Sequence, residues 1–167
     1  GLLMIYAHRQ GLHAEALNWA KAVAERLLEV AEPDPDGLRW RLMNDMPFPF
    51  TAPNFAHGGA GVGYFLIQLF RETGDARYLD AAREAARYTM SRSKPMGQSK
   101  LDVHTEEARR PIFYLGACHG PAGTGRLLLE LHEITGDAHW LEEAKALMEG
   151  LTATGAPRTR SAGYWNN

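Results

Sequence analysis

The chain has 167 residues, the usual length of one domain. Hydrophobic residues make up 45% of it and charged residues 23%, which is the composition of a folded globular protein and excludes an intrinsically disordered one. Its formal charge of −2 offers no electrostatic reason to expect nucleic acid or an anionic membrane as a partner.

The cysteine content indicates a reducing compartment, and the hydropathy indicates that no segment crosses a membrane. Cys118 is the only cysteine, so no disulfide can form within the chain. No apolar run reaches the roughly 18 residues that a membrane helix needs. The opening residues 1–5 are too short, and too soon followed by charge, for a signal peptide. We therefore expect a cytoplasmic protein without a membrane segment.

The first predicted element is an alanine-rich helix within residues 13–30, HAEALNWAKAVAERLLEV. A proline-containing loop follows over residues 32–56. It includes an apolar group that we interpret as a plug at the end of a helical bundle, with the lining of a binding mouth as the alternative. This group consists of Trp40, Met43, Met46, Phe48 and Phe50.

A helical hairpin is predicted next. Apolar residues recur at intervals of three and four over residues 62–72, which indicates a helix. The sequence Thr73-Gly74-Asp75 ends that helix. Gly74 can adopt the left-handed backbone conformation with which many helices end, and Asp75 can cap the helix that follows. The second helix is predicted over residues 76–90, and residues 91–111 form another loop.

The same unit then occurs again. Residues 57–79, HGGAGVGYFLIQLFRETGDARYL, match residues 119–141, HGPAGTGRLLLELHEITGDAHWL, without a gap at an offset of 62 residues. Applied backwards, the offset aligns the helix after Asp75 with the N-terminal helix. Self-similarity at a fixed period is typical of repeat proteins. We predict units at 1–31 (partial), 54–90 and 116–151, all within a single domain over 1–167, and expect a piece of a longer protein.

Each complete unit begins with a glycine-rich His-Gly motif before a helix, at His57 and at His119. One interpretation is steric: small residues allow close packing, and the histidines merely cap or pack. The other is functional, because a helix N-terminus disfavours imidazolium, and a neutral imidazole can ligate a metal or transfer protons. A phosphate-binding loop is disfavoured, since the P-loop and dinucleotide-binding spacings are absent.

Cys118 and His119 are adjacent and could both ligate one zinc ion. The alternative for Cys118 is a small buried hydrophobic residue, which is how most free cysteines behave. Asp102, His104 and Glu106 lie in the preceding loop without a recognised ligand spacing. We interpret those three as solvated loop residues.

The doubled units FAHGGAGVGYFLIQLFRETGDARYLDAA and ACHGPAGTGRLLLELHEITGDAHWLEEA resemble repeats of the lanthionine synthetase C-like family, the lanthionine cyclases and their relatives. The resemblance covers at least residues 54–151, and the N-terminal helix fits it too. It implies an all-α fold of helical-hairpin repeats in an α/α toroid, of which this chain would form about half of the ring. Unpaired repeat edges could then support self-association.

The resemblance also implies an activity, the zinc-dependent addition of a thiol to dehydroalanine or dehydrobutyrine. The substrate would be a peptide or a small thiol. Cys118 and His119 match the family's Cys-His-Gly motif and would be zinc ligands. His57 matches an upstream His-Gly motif and would be catalytic, as a proton donor. The alternative for His119 is that it belongs to an earlier repeat, in which case it is equivalent to the proton-donor histidine and would be catalytic instead of a zinc ligand. The family's Cys-Tyr-Gly motif is absent, so the zinc ligand set is incomplete in this chain.

Two other functions remain open. One is an α/α-toroid carbohydrate-active protein, an epimerase or glycosidase-like domain, which needs carboxylates or histidines around a sugar. The carboxylates that we assign to solvated helix faces count against it; they are Glu72, Asp80, Glu84, Glu142 and Glu143. The other is a non-catalytic repeat scaffold.

Overall fold

The computed structural model describes residues 1–42, 51–104, 113–156, 158 and 164–165. Helices dominate these residues and form three successive hairpins: the two complete ones that were predicted and an N-terminal one, of which only the second helix was predicted. The hairpins are α1 (Leu2–Arg9) with α2 (Ala16–Glu29), α3 (Gly59–Thr73) with α4 (Ala76–Ser91), and α5 (Pro121–Thr135) with α6 (Ala138–Ala153). Across the described ranges, no helix combines the length and apolarity that crossing a membrane requires.

The predicted helix stop is confirmed in both complete repeats. Gly74 and Gly136 each follow the first helix of a hairpin with a φ of 69°, a left-handed conformation that glycine adopts without steric cost. The carboxylate of Asp75 accepts a hydrogen bond from the N–H of Arg77, and that of Asp137 accepts one from the N–H of His139. Each aspartate thereby caps the second helix.

The loops between hairpins contain short strands that also obey the 62-residue offset. The strands β1 (Glu32–Asp34) and β2 (Gly37–Arg39) pair antiparallel, and so do β3 (Lys94–Met96) and β4 (Ser99–Leu101). A further pair, β5 (Phe113–Tyr114) and β6 (Tyr164–Trp165), is parallel. Each of these strands is two or three residues long.

The helices form two layers. The first helices of the hairpins lie side by side, since α3 contacts both α1 and α5, while each second helix packs on the first helix of its own hairpin. Their shared core is apolar and closed to solvent, with Leu66, Leu69, Leu127 and Leu131 fully buried. Burial of one such leucine contributes on the order of 1.5–3 kcal/mol. This layering is the arrangement expected of an arc of an α/α toroid.

One polar link between first helices repeats with the period of the sequence. Arg9 of α1 donates to the side-chain oxygen of Gln68 at 3.0 Å, and Arg71 of α3 donates to Glu130 at 2.8 Å. Both members of the second pair lie 62 residues after those of the first. The repeat therefore includes the contact between neighbours as well as the hairpin itself.

The glycines of the His-Gly motifs have the steric role considered above. A Cβ atom added at Gly61 would overlap the carbonyl oxygen of Phe55, and one added at Gly123 would overlap that of Ala117. Gly58 and Gly120 are equally close to preceding backbone carbonyls. Each motif therefore begins its helix directly against the loop that leads into it, which positions the motif histidine.

Candidate functional site

The two His-Gly turns lie next to each other. The N–H of Ala56 donates to the carbonyl oxygen of Cys118 at 2.7 Å, which joins the residues that immediately precede the two histidines. The imidazole rings of His57 and His119 are 4.9 Å apart between centroids and tilted by 31°. Two side chains that are 62 residues apart in sequence thus form one pair.

A third imidazole joins this pair, and we call His57, His104 and His119 the histidine cluster. The ring of His104 lies edge-on to that of His119, with 4.6 Å between centroids, and 4.5 Å from the ring of Tyr114. His104 is half-buried. Its interpretation as a solvated loop residue is therefore wrong, and Glu106, interpreted in the same way, lies outside the described residues.

Asn54 is the buried centre of the histidine cluster. Its Oδ1 accepts a hydrogen bond from the N–H of His57 at 3.0 Å and lies 3.4 Å from Nδ1 of His119. Its Nδ2 donates to the carbonyl oxygen of His104 at 2.8 Å and lies 3.2 Å from Nδ1 of the same residue. One amide thus contacts all three histidine residues.

Asp102 is likewise not solvated. It is fully buried, and its Oδ2 accepts a hydrogen bond from the hydroxyl of Thr124, in the first turns of α5, at 2.6 Å. Its Oδ1 has no hydrogen-bond partner among the described residues. Burial raises the pKa of Asp102 to about 7, because an apolar environment disfavours the carboxylate. This corrects the interpretation of Asp102 as a surface residue.

Two members of the histidine cluster, His104 and His119, favour the uncharged imidazole. Burial lowers the pKa of His104, and the neighbouring His119 and His57 lower it further. Burial also lowers the pKa of His119, with His57 contributing. The neutral form expected from the sequence is thus supported for His119, although desolvation and neighbouring histidines are the main causes rather than the helix terminus.

Cys118 is exposed, which excludes the alternative of a small buried hydrophobic residue. With His57 it lines an open, mainly apolar cavity of about 710 Å³. Trp40 is buried at this cavity and donates its indole N–H to the carbonyl oxygen of Leu27. Of the apolar loop group, Trp40 alone is described; Met43, Met46, Phe48 and Phe50 lie outside the described residues.

Cys118 and His119 do not by themselves make a zinc site. Zinc in proteins takes three or four side-chain ligands, and this pair supplies two. Within the part of the chain that the structure describes, no group of three or more His, Cys, Asp or Glu side chains is arranged to hold a metal ion. A zinc ion bound here would need a ligand from elsewhere.

The carboxylates assigned to solvated helix faces are engaged in ion pairs. Two of them, Glu72 and Glu143, are only partly exposed and pair with Arg9 and Lys100. The other three pair with arginine or lysine three residues further along their own helices; they are Asp80, Glu84 and Glu142. This arrangement lends no support to a carbohydrate site built from paired carboxylates.

Sequence reasoning found His57, Cys118 and His119 and missed Asn54 and His104. Both missed residues belong to the loops, and neither recurs at the 62-residue offset. The one available signal was that Asn54 lies three residues before the His-Gly motif, where its side chain can reach the N–H of His57.

Comparison with known proteins agrees with the resemblance given by the motifs. The family model of lanthionine synthetase C-like proteins matches residues 1–155. No curated protein matches the chain.

Proposed function

The chain belongs to the lanthionine synthetase C-like family, and from this premise we propose that it takes part in adding a thiol to dehydroalanine or dehydrobutyrine. The observation that carries the proposal is the pairing of His57 with His119, whose ring centroids are 4.9 Å apart, with His57 and Cys118 lining an open cavity. The substrate is a peptide or a small thiol.

The reaction needs one proton acceptor and one proton donor. As the sulfur of the thiol bonds to the β-carbon, its S–H proton passes to a neutral imidazole, and the electron pair of the C=C bond moves onto the α-carbon and its carbonyl. A histidine then returns a proton to the α-carbon, so one S–H and one C=C are consumed and one C–S and one C–H bond form. General acid–base catalysis of this kind contributes about 10²–10⁴-fold.

The proposed roles follow the environments of the two histidines. His119 is the acceptor, because its partial burial lowers its pKa and keeps its lone pair available. His57 is exposed beside the cavity and is the group that gives a proton to the α-carbon. Both histidines then regain their starting forms by exchanging protons with solvent. Zinc would activate the attacking thiol in this family, but Cys118 and His119 lack a third ligand for it among the described residues.

The experiment is thioether formation followed by mass spectrometry. The chain is incubated with glutathione and a dehydroalanine-containing peptide, and the His57→Gln and His119→Gln variants are compared with it. His139→Gln is the matched control, since His139 is exposed on α6, where its ring contacts only that of Trp140 among the described aromatic residues, at 4.9 Å between centroids. We expect both site variants to lose at least about tenfold in rate, within the range of acid–base catalysis, and the control to be unchanged.

Two results would overturn the proposal. One is a rate for the unmodified chain equal to the uncatalysed background. The other is a set of rates in which His57→Gln and His119→Gln match the control. The fold of each variant is checked by circular dichroism so that a rate loss refers to folded protein.

A further inference from the structure

The orientation of the Asn54 amide is set by two backbone groups whose roles cannot be exchanged. The N–H of His57 can only donate, so the Asn54 atom that it contacts at 3.0 Å is the oxygen. The carbonyl of His104 can only accept, so the Asn54 atom that it contacts at 2.8 Å is the nitrogen. A flipped amide would place two donors together and two acceptors together.

The fixed amide dictates which nitrogen carries the proton in each neutral imidazole. Nδ2 of Asn54 donates, so Nδ1 of His104 must hold a lone pair, and the His104 proton lies on Nε2. Oδ1 of Asn54 accepts, so Nδ1 of His119 must carry the proton, and the lone pair of His119 lies on Nε2. The two rings therefore adopt opposite tautomers.

The full hydrogen-bonding capacity of Asn54 is used in this arrangement. An amide side chain has two donor hydrogens and an oxygen with two lone pairs. The hydrogens go to the carbonyl and Nδ1 of His104, and the lone pairs to the N–H of His57 and Nδ1 of His119. Because Asn54 is fully buried, water cannot replace any of these partners without rearrangement.

We propose that Asn54 is a positioning residue that holds His119 with its Nε2 as a proton acceptor and His104 with its Nε2–H as a hydrogen-bond donor. The donor on His104 suits the carbonyl oxygen of a dehydroamino acid, where negative charge develops as the thiol adds. These substrate roles rest on the proposed function; the tautomers themselves do not. His104 thereby becomes a member of the site alongside His57 and His119.

The test is the nitrogen spectrum of the histidine rings. Protein labelled with ¹⁵N-histidine is examined by NMR, in which protonated and unprotonated ring nitrogens have distinct chemical shifts, and His104→Gln and His119→Gln assign the signals. We expect His104 to be protonated at Nε2 and His119 at Nδ1. The reverse tautomer at either residue in the unmodified chain overturns the proposal, whether or not any variant folds.

Removal of the amide gives a second readout. In Asn54→Ala we expect both rings to become mixtures of tautomers, and thioether formation to fall by about 10-fold or more, as when partners that orient functional histidines are removed. Gln68→Ala is the matched control, because Gln68 is also a buried amide but pairs with Arg9. Spectra of Asn54→Ala identical to those of the unmodified chain would overturn the positioning role.

The outcomes separate this inference from the proposed function. Predicted tautomers in a chain without thioether activity would support the structural part and remove the substrate roles. Activity with the reverse tautomers would support the proposed function and overturn the inference.

Discussion

Arg126 and Tyr64 occupy the same position in successive repeats, and they bind each other. The guanidinium of Arg126 donates to the hydroxyl of Tyr64 at 2.9 Å and lies 4.7 Å from the centre of its ring. It also lies 5.4 Å from the ring of Phe55, in the segment that leads to His57. This contact therefore links α5, α3 and the first His-Gly motif.

We expect Tyr64→Phe to lower the free energy of unfolding by about 1 kcal/mol, since it removes one hydrogen bond and keeps the ring. Arg126→Ala should cost more, because it also removes the contacts of the guanidinium with the rings of Tyr64 and Phe55. Urea unfolding measures both values. A smaller loss for Arg126→Ala than for Tyr64→Phe would contradict this account.

The glycines of the second motif should respond in opposite directions to the same substitution. Gly123→Ala would force a Cβ atom into the carbonyl of Ala117, and we expect it to destabilise the fold by about 1–3 kcal/mol, the usual cost of overpacking. A Cβ atom at Gly125, two residues later, meets nothing within 4 Å. Gly125→Ala should stabilise the helix by about 0.5–1 kcal/mol.

Thermal unfolding of the two glycine variants side by side measures this contrast. If both are destabilised equally, backbone contact is not what requires glycine at position 123.

Asp102 should make stability depend on pH. Its pKa is about 7 in the folded protein, above the value of about 3.9 in an unfolded chain, so the folded state retains a proton that the unfolded state has lost between these values. The stability that this protonation contributes is complete below about pH 4, is lost as the pH rises towards 7, and is absent above that.

Asp102→Asn should remove that dependence, because an amide does not titrate. As the pH rises from 5 to 8, the melting temperature of the variant should therefore increase relative to that of the unmodified chain. Asp80→Asn, at an exposed position on α4, is the control. If the melting temperatures of Asp102→Asn and of the unmodified chain change with pH in the same way over this range, the buried carboxyl does not titrate there.

Cys118 should react with iodoacetamide in the folded protein, because its side chain is exposed. If Cys118 and His119 ligate zinc with a further ligand from elsewhere, as proposed from the motif, zinc should slow this alkylation and His119→Gln should abolish the protection. His139→Gln should leave it unchanged. Alkylation at the same rate with and without zinc would remove Cys118 from the proposed ligand set.

The sequence predicts the hairpins well because the interactions that form them are local. Glycine at positions 74 and 136 and aspartate at 75 and 137 end and begin helices within a few residues, and the helices obey the 62-residue offset. The family follows from the same repeated motif.

The rest of the candidate site depends on contacts between loops that are distant in sequence. Asn54 and His104 are 50 residues apart and meet only because successive hairpins stack. Asp102 resembles any polar loop residue until α5 packs over it and Thr124 becomes its partner. Periodicity carries no information on such pairs, since neither pair recurs at the 62-residue offset.

The link from Arg9 to Gln68 and from Arg71 to Glu130 gives the row of first helices a direction, with the arginine always on the earlier helix. On α5 the position equivalent to Arg71 is Glu133, and on α1 the position equivalent to Gln68 is Tyr6. If two copies stacked head to tail in the manner of neighbouring repeats, Glu133 of one copy would meet Tyr6 of the other. Within the chain itself, these positions pair an arginine with an amide or a carboxylate. A junction with a second copy would thus lack the arginine link that joins the chain's own hairpins.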